Sequence, residues 1–129
     1  MDTREFSLTN ERLRCLSISE VQRAVARAFN LSLTEMLSRG RSHRVARARQ
    51  VAMYLSRELA GGGSLGPRRM ADSFPRIGLA FARDHTSVIH ACNAIARRRL
   101  RDAAFAHLLD DITREVIEAP RPAAPPLAA

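Results

Sequence analysis

The sequence predicts an all-α, six-helix domain with a helix-turn-helix, and three observations lead there. Apolar residues recur at spacings of three and four along much of the chain between Ile18 and Val116. Helix-start residues stand ahead of those runs: Ser17 before Ile18, Ser73 before Phe74-Pro75, and Asp84 before Val88. Between Phe81 and Val88 a short amphipathic helix stops, turns and restarts on Asp84, so a polar cluster opens a helix whose next turns are apolar.

A chain of 129 residues has room for one domain with a core of moderate size. Its formal charge is +8 and all 21 basic residues are arginine, the side chain best suited to bidentate contact with phosphate and guanine. Net charge by itself speaks to solubility and association. Its distribution says more, because sixteen arginines face only five acids between Ser17 and Arg101. Nucleic acid is the expected partner.

Cys15 and Cys92 lie far apart and match no metal or redox spacing, as expected of reduced thiols in a cytoplasmic chain. Met1-Asp2-Thr3-Arg4-Glu5 does not resemble a signal peptide, and no apolar run approaches the roughly 20 residues of a membrane span. The expected setting is cytoplasmic and nucleoid-associated, with no membrane partner, no cofactor and no small-molecule substrate.

Residues 1–16 read as a loosely ordered arm, 17–118 as the DNA-binding domain, and 119–129, with four prolines, as a disordered or polyproline-type tail. Within the domain, Ile18, Val21, Val25 and Ala28 form the apolar stripe of a first helix ending near Asn30. A short second helix, capped by Ser32 or Thr34, stops at the basic loop Ser38-Arg39-Gly40-Arg41-Ser42. The third runs from His43 to Ala60, with Val45, Ala48, Ala52, Leu55 and Leu59 facing inward.

A second stripe on that helix, Arg47, Gln50, Tyr54 and Arg57, contains no acid. Charge stripes are commonly solvated faces. A solvated face usually interleaves signs, however, and an unbroken basic surface that continues Arg39, Arg41 and Arg44 is self-repelling unless phosphate neutralises it. Gly61-Gly62-Gly63-Ser64-Leu65-Gly66-Pro67 cannot continue a helix and reads as a flexible connector, with a turn over residues 68–72.

The fourth helix, Pro75 to Phe81, turns Ile77 and Phe81 inward, and Gly78 in its middle predicts close approach of a neighbour. The fifth, from Asp84 to about Arg99, buries Val88, Ala91, Cys92 and Ile95 and leaves Thr86, His90, Asn93 and Arg97 on its free face. Asp84 as N-cap would hold His85, Thr86 and Ser87 at the exposed start, where a recognition helix meets bases. The sixth, Asp102 to Glu118, buries Phe105, Leu108, Leu109, Ile112 and Val116. Its exposed Asp110, Asp111 and Glu115 are expected to point away from the duplex.

Four blocks in order closely resemble the C-terminal DNA-binding domain (domain IV) of the bacterial replication initiator DnaA: Leu37-Ser38-Arg39-Gly40-Arg41-Ser42, Arg47 to Leu55, Ser73 to Gly78, and Arg83-Asp84-His85-Thr86-Ser87-Val88 with Ile89-His90-Ala91. The resemblance covers about Ile18 to Glu118 and implies a Trp-repressor-like helix-turn-helix fold. It implies that Arg41 enters the minor groove and that Asp84, His85 and Thr86 read the major groove, with Ser87 where a second threonine is usual. Arg49, Gln50 and Arg57 match positions that hold phosphates; Arg39, Arg44, Arg47 and Arg83 extend that basic surface. The chemistry agrees, since Asp accepts from cytosine N4, Thr touches a thymine methyl and Arg suits a narrow minor groove.

Three features depart from the family pattern. Gly40 replaces a usually basic residue, the connector is longer by roughly ten residues, and Phe81-Ala82-Arg83 is one residue shorter than a Phe-Gly-Gly-Arg type of turn. No Walker motif and no lysine occur. A freestanding domain of this type resembles small DnaA-related regulators that act on promoters, prophage-like gene-transfer systems included. The expected function is therefore a sequence-specific transcription regulator. The alternative is a modulator of replication initiation that binds initiator boxes or an initiator-associated ATPase. A pure protein-interaction module is the third reading.

No enzyme activity is expected. His85, His90 and Cys92 fall on different faces of one helix, which disfavours a metal site. Ser87, two positions after His85 on the same helix, points about 160 degrees away from it, with no third group to orient the pair.

Overall fold

The computed structural model describes residues 17–40, 42–59 and 74–118. The expected arm, the minor-groove candidate Arg41, the glycine-rich connector with the turn after it, the Ser73 cap and the tail lie outside the described residues. Six helices, α1 to α6, and no strand occur among the described residues.

Helix α1 (Ile18–Ala28) opens on a reciprocal box: Ser17 Oγ accepts from Glu20 N at 3.1 Å while the Glu20 carboxylate accepts from Ser17 N at 3.3 Å. It closes through Asn30, whose φ of 56° lets Leu31 N donate back to Ala26 O at 2.9 Å. Helix α2 (Leu33–Leu37) repeats the box with Ser32 and Glu35, so Ser32 and not Thr34 is the cap. Helix α3 spans His43–Leu59. Helix α4 (Phe74–Phe81) begins one residue earlier than its sequence suggests. Helix α5 (His85–Arg101) runs two residues further than expected. Asp102 caps both its end and the start of α6 (Ala103–Glu118): its N donates to Arg98 O and its Oδ1 accepts from Phe105 N.

Helix α3 lies at the centre, packed against α1 and α5; α4 packs on α5, and α6 closes over α1 and α5. The expected stripe of α3 is buried, and Val51, Met53 and Ser56 are buried with it. A helix flanked on two sides has no single inward stripe, so the one-face pattern underestimates its burial. Met36, Leu55, Ile77, Phe81 and Leu109 fill the core, each worth about 1.5–3 kcal/mol for leaving water. Cys92 sits half-buried with Sγ 3.8 Å from Met53 O, and burial pushes its thiol up to about 11. No helix among the described residues is long and apolar enough to cross a membrane.

The packing that matters for the site is at Gly78. A Cβ there would meet Arg83 O at 2.5 Å and the Asp84 and His85 backbone at 3.4 Å. The close neighbour is thus the backbone leading into α5, which rests directly on the middle of α4.

Candidate nucleic-acid interface

The turn between α4 and α5 is set by two backbone bonds, Arg83 N to Gly78 O at 2.8 Å and Ala82 N to Leu79 O at 3.2 Å. That pairing requires a left-handed residue, and Ala82 supplies it with φ 54°. The conformation costs an L-residue about 1–2 kcal/mol. One strained alanine therefore turns the chain in a segment shorter than the two-glycine type.

Asp84 then caps α5. Its Oδ2 accepts from Thr86 N at 3.1 Å and from the Thr86 hydroxyl, and His85 Nδ1 stands 3.6 Å from Oδ1. The Thr86 hydroxyl foremost, and then the Thr86 amide, hold the Asp84 carboxyl below the usual carboxylate range. With Oδ2 and the Thr86 hydroxyl committed to each other, Oδ1 of Asp84 and the methyl of Thr86 are the groups these two side chains can offer a base. Asp84, His85, Thr86 and Ser87 are all exposed.

The arginines divide into two sets. Arg39 and Arg47 are exposed. Others already hold backbone carbonyls. Arg44 donates Nε and Nη2 to Phe29 O at 3.0 and 2.7 Å, and Nη2 to Asn30 O at 2.9 Å, closing the end of α1. Arg49 donates Nε to Met36 O at 3.1 Å and Nη2 to Ser38 O at 2.6 Å. Arg83 donates Nη2 to the same Ser38 O at 3.0 Å and Nη1 to Ala82 O at 3.3 Å. Burial first, and the Arg83 charge second, lower the pKa of Arg49. Arg57 lies 4.3 Å over the Phe74 ring, a cation–π contact.

Between α3 and α5 runs an open cleft of about 450 Å³ whose polar lining is Arg49, Gln50, Arg83, Ser87, His90 and Arg97. It joins four of the expected site residues, Arg49, Gln50, Arg83 and Ser87; Arg39, Arg44 and Arg57 do not line it. His90 and Arg97 enter it from the free face of α5, and their spacing from Ser87 along one helix was the signal that could have assigned them. Three arginine–carboxylate pairs lie around α6: Arg99 with Asp110 at 2.9 Å, Arg27 with Glu115 at 3.4 Å, and Arg98 with Asp102 at 3.6 Å. No group of three His, Cys, Asp or Glu able to hold a metal occurs among the described residues.

The model of the bacterial DnaA protein helix-turn-helix matches residues 18–95. A chromosomal replication initiator protein DnaA from Symbiobacterium thermophilum is 38% identical over 102 residues, 78% of this chain and 20% of that protein. The protein of the same name from Acinetobacter baumannii is 41% identical over 95 residues, 73% of this chain and 18% of its own length. That from Acinetobacter baylyi is 40% identical over 95 residues. The chain thus spans about a fifth of the relatives it matches. The matched segment contains α4, the turn, α5 as far as Ile95 and every residue of the cleft lining except Arg97, and the chain belongs to the bacterial DnaA family, carrying its DNA-binding helix-turn-helix domain.

Proposed function

We propose that the chain binds double-stranded DNA sequence-specifically and acts as a transcription regulator by occupying promoters. The observation that carries this reading is the exposed Asp84-His85-Thr86-Ser87 start of α5, capped and fixed against α4, beside a cleft lined with arginine. Asp84, His85, Thr86 and Ser87 read the major groove, Arg41 enters the minor groove, and Arg39, Arg44, Arg47, Arg49, Gln50, Arg57 and Arg83 face phosphates. The guanidinium has five donors, so those of Arg44, Arg49 and Arg83 keep N–H groups for phosphate after serving the carbonyls. Protein partners on this reading belong to the transcription machinery.

Selection of bound duplexes from a random library at fixed salt tests it. A defined motif is expected, with His85→Ala and Arg41→Ala each losing about 1–3 kcal/mol on that motif and much less on random duplex. Equal losses on both would sink base readout.

A second reading, modulation of replication initiation, is favoured by the relatives, which are named chromosomal replication initiators. Chromosome-wide occupancy separates the two, since clustering at the origin and absence from promoters supports the second.

A further inference from the structure

Two arginines far apart in sequence, Arg49 and Arg83, place their Nη2 atoms on one carbonyl oxygen, that of Ser38. Ser38 ends α2 and opens the basic loop. Arg49 comes from the middle of α3, and Arg83 from the turn that aims α5. Each makes a second bond: Arg49 to Met36 O in α2 at 3.1 Å, and Arg83 to Ala82 O in its own turn at 3.3 Å. The loop is shaped at the same residue, because Ser38 Oγ donates to Glu35 O at 2.7 Å and accepts from Gly40 N at 3.1 Å. A Cβ at Gly40 would stand 3.2 Å from that hydroxyl, so the family departure at this position relieves crowding at the junction.

This is an unusual use of two cations. A single carbonyl has two lone pairs and accepts both donors, but the like charges repel, and a surface site for phosphate needs neither arginine to face a backbone oxygen. What the arrangement gains is a fixed distance between the loop entry and the α5 start, two segments that α3 alone would hold only through apolar packing.

We propose that Arg83 and Arg49 are positioning residues: through Ser38 O they lock the basic loop in register with the recognition helix, so that the two halves of the interface engage a duplex as one rigid unit. The inference rests on the DNA-binding reading above. It differs from a phosphate contact in what it predicts for a charge-conserving change. A lysine keeps a point charge for phosphate but has no planar fork to bridge Ser38 O and its second carbonyl.

The test uses the full chain and the duplex selected from the random library, with Arg83→Lys and Arg49→Lys. Because both arginines also face phosphate on that reading, each variant is expected to lose some affinity for random duplex, and the positioning role is read from the difference: the selected site loses about tenfold or more beyond that loss. The Arg39→Ala and His85→Ala losses, coupled in wild type, become additive in Arg83→Lys. In the absence of DNA, the Gly40 amide resonance shifts in Arg83→Lys although the residues are 43 positions apart. Unchanged selectivity in Arg83→Lys, or an unmoved Gly40 resonance, overturns the positioning role and leaves the DNA reading intact. A wild-type chain that binds no duplex overturns both. Thermal unfolding of each lysine variant separates a register defect from loss of fold: a native-like midpoint with lost selectivity is the expected pair.

Discussion

Asp84 caps α5 through Oδ2, and on the proposed reading Oδ1 meets a base, so the two roles can be taken apart by substitution. Asp84→Asn retains a good capping side chain but brings an amide donor toward a site suited to an acceptor. Its unfolding midpoint should stay near wild type while affinity for the selected duplex falls about tenfold. Asp84→Ala should lose both, as thermal melts and titrations would read. Because the folded carboxyl is held below its ordinary value, its contribution to stability is fully present above the unfolded pKa and lost as pH falls through the depressed native one. The stability gap between wild type and Asp84→Ala should therefore be constant from neutral pH down to mild acid, then close below the usual carboxylate range. A gap that closed near neutrality would overturn the assignment to Asp84.

At the scale of the helix-turn-helix, the decisive residues have almost no side chain. Gly78→Ala should gain helix propensity worth about 1 kcal/mol yet lose about 3 kcal/mol to the clash with Arg83 O, which cannot retreat without moving α5. Ala82→Gly should do the opposite: relief of the left-handed strain, offset in part by the freer unfolded chain, raises stability by up to about 1 kcal/mol. Denaturant melts of both variants check the pair, and a stabilising Gly78→Ala would refute the close contact. The glycine's role was legible in the sequence as a demand for a close neighbour. The helices were legible too, because periodic apolar residues and caps such as Ser17 and Asp84 act over three or four positions. The staples of Arg44, Arg49 and Arg83 were not: each joins a side chain to a backbone oxygen 14, 11 or 45 positions away, and nothing in a local pattern encodes such a bond. The width of the buried face of α3 was hidden for a related reason, since it depends on which helices land on either side.

Across the whole molecule the charges are sorted by what neutralises them. Arg27, Arg98 and Arg99 answer to Glu115, Asp102 and Asp110 around α6, whereas Arg47 and Arg97 are exposed on α3 and α5. Arg47→Ala or Arg97→Ala should weaken binding to every duplex and reduce the salt slope by about one. Asp111→Asn on α6, outside the cleft, should leave that slope unchanged. Affinities measured across a salt series check all three, and an unaltered slope in both arginine variants would move the duplex off this face.

The half-buried thiol of Cys92 has a consequence of another kind. Cys92 touches Met53 O, where α5 lies on α3, and its raised pKa leaves almost no thiolate at neutral pH. Alkylation at Cys92 is therefore expected to quicken when the two helices part. The rate at which this one sulfur is modified is a clock for breathing of the domain, and a duplex bridging α3 and α5 would slow it.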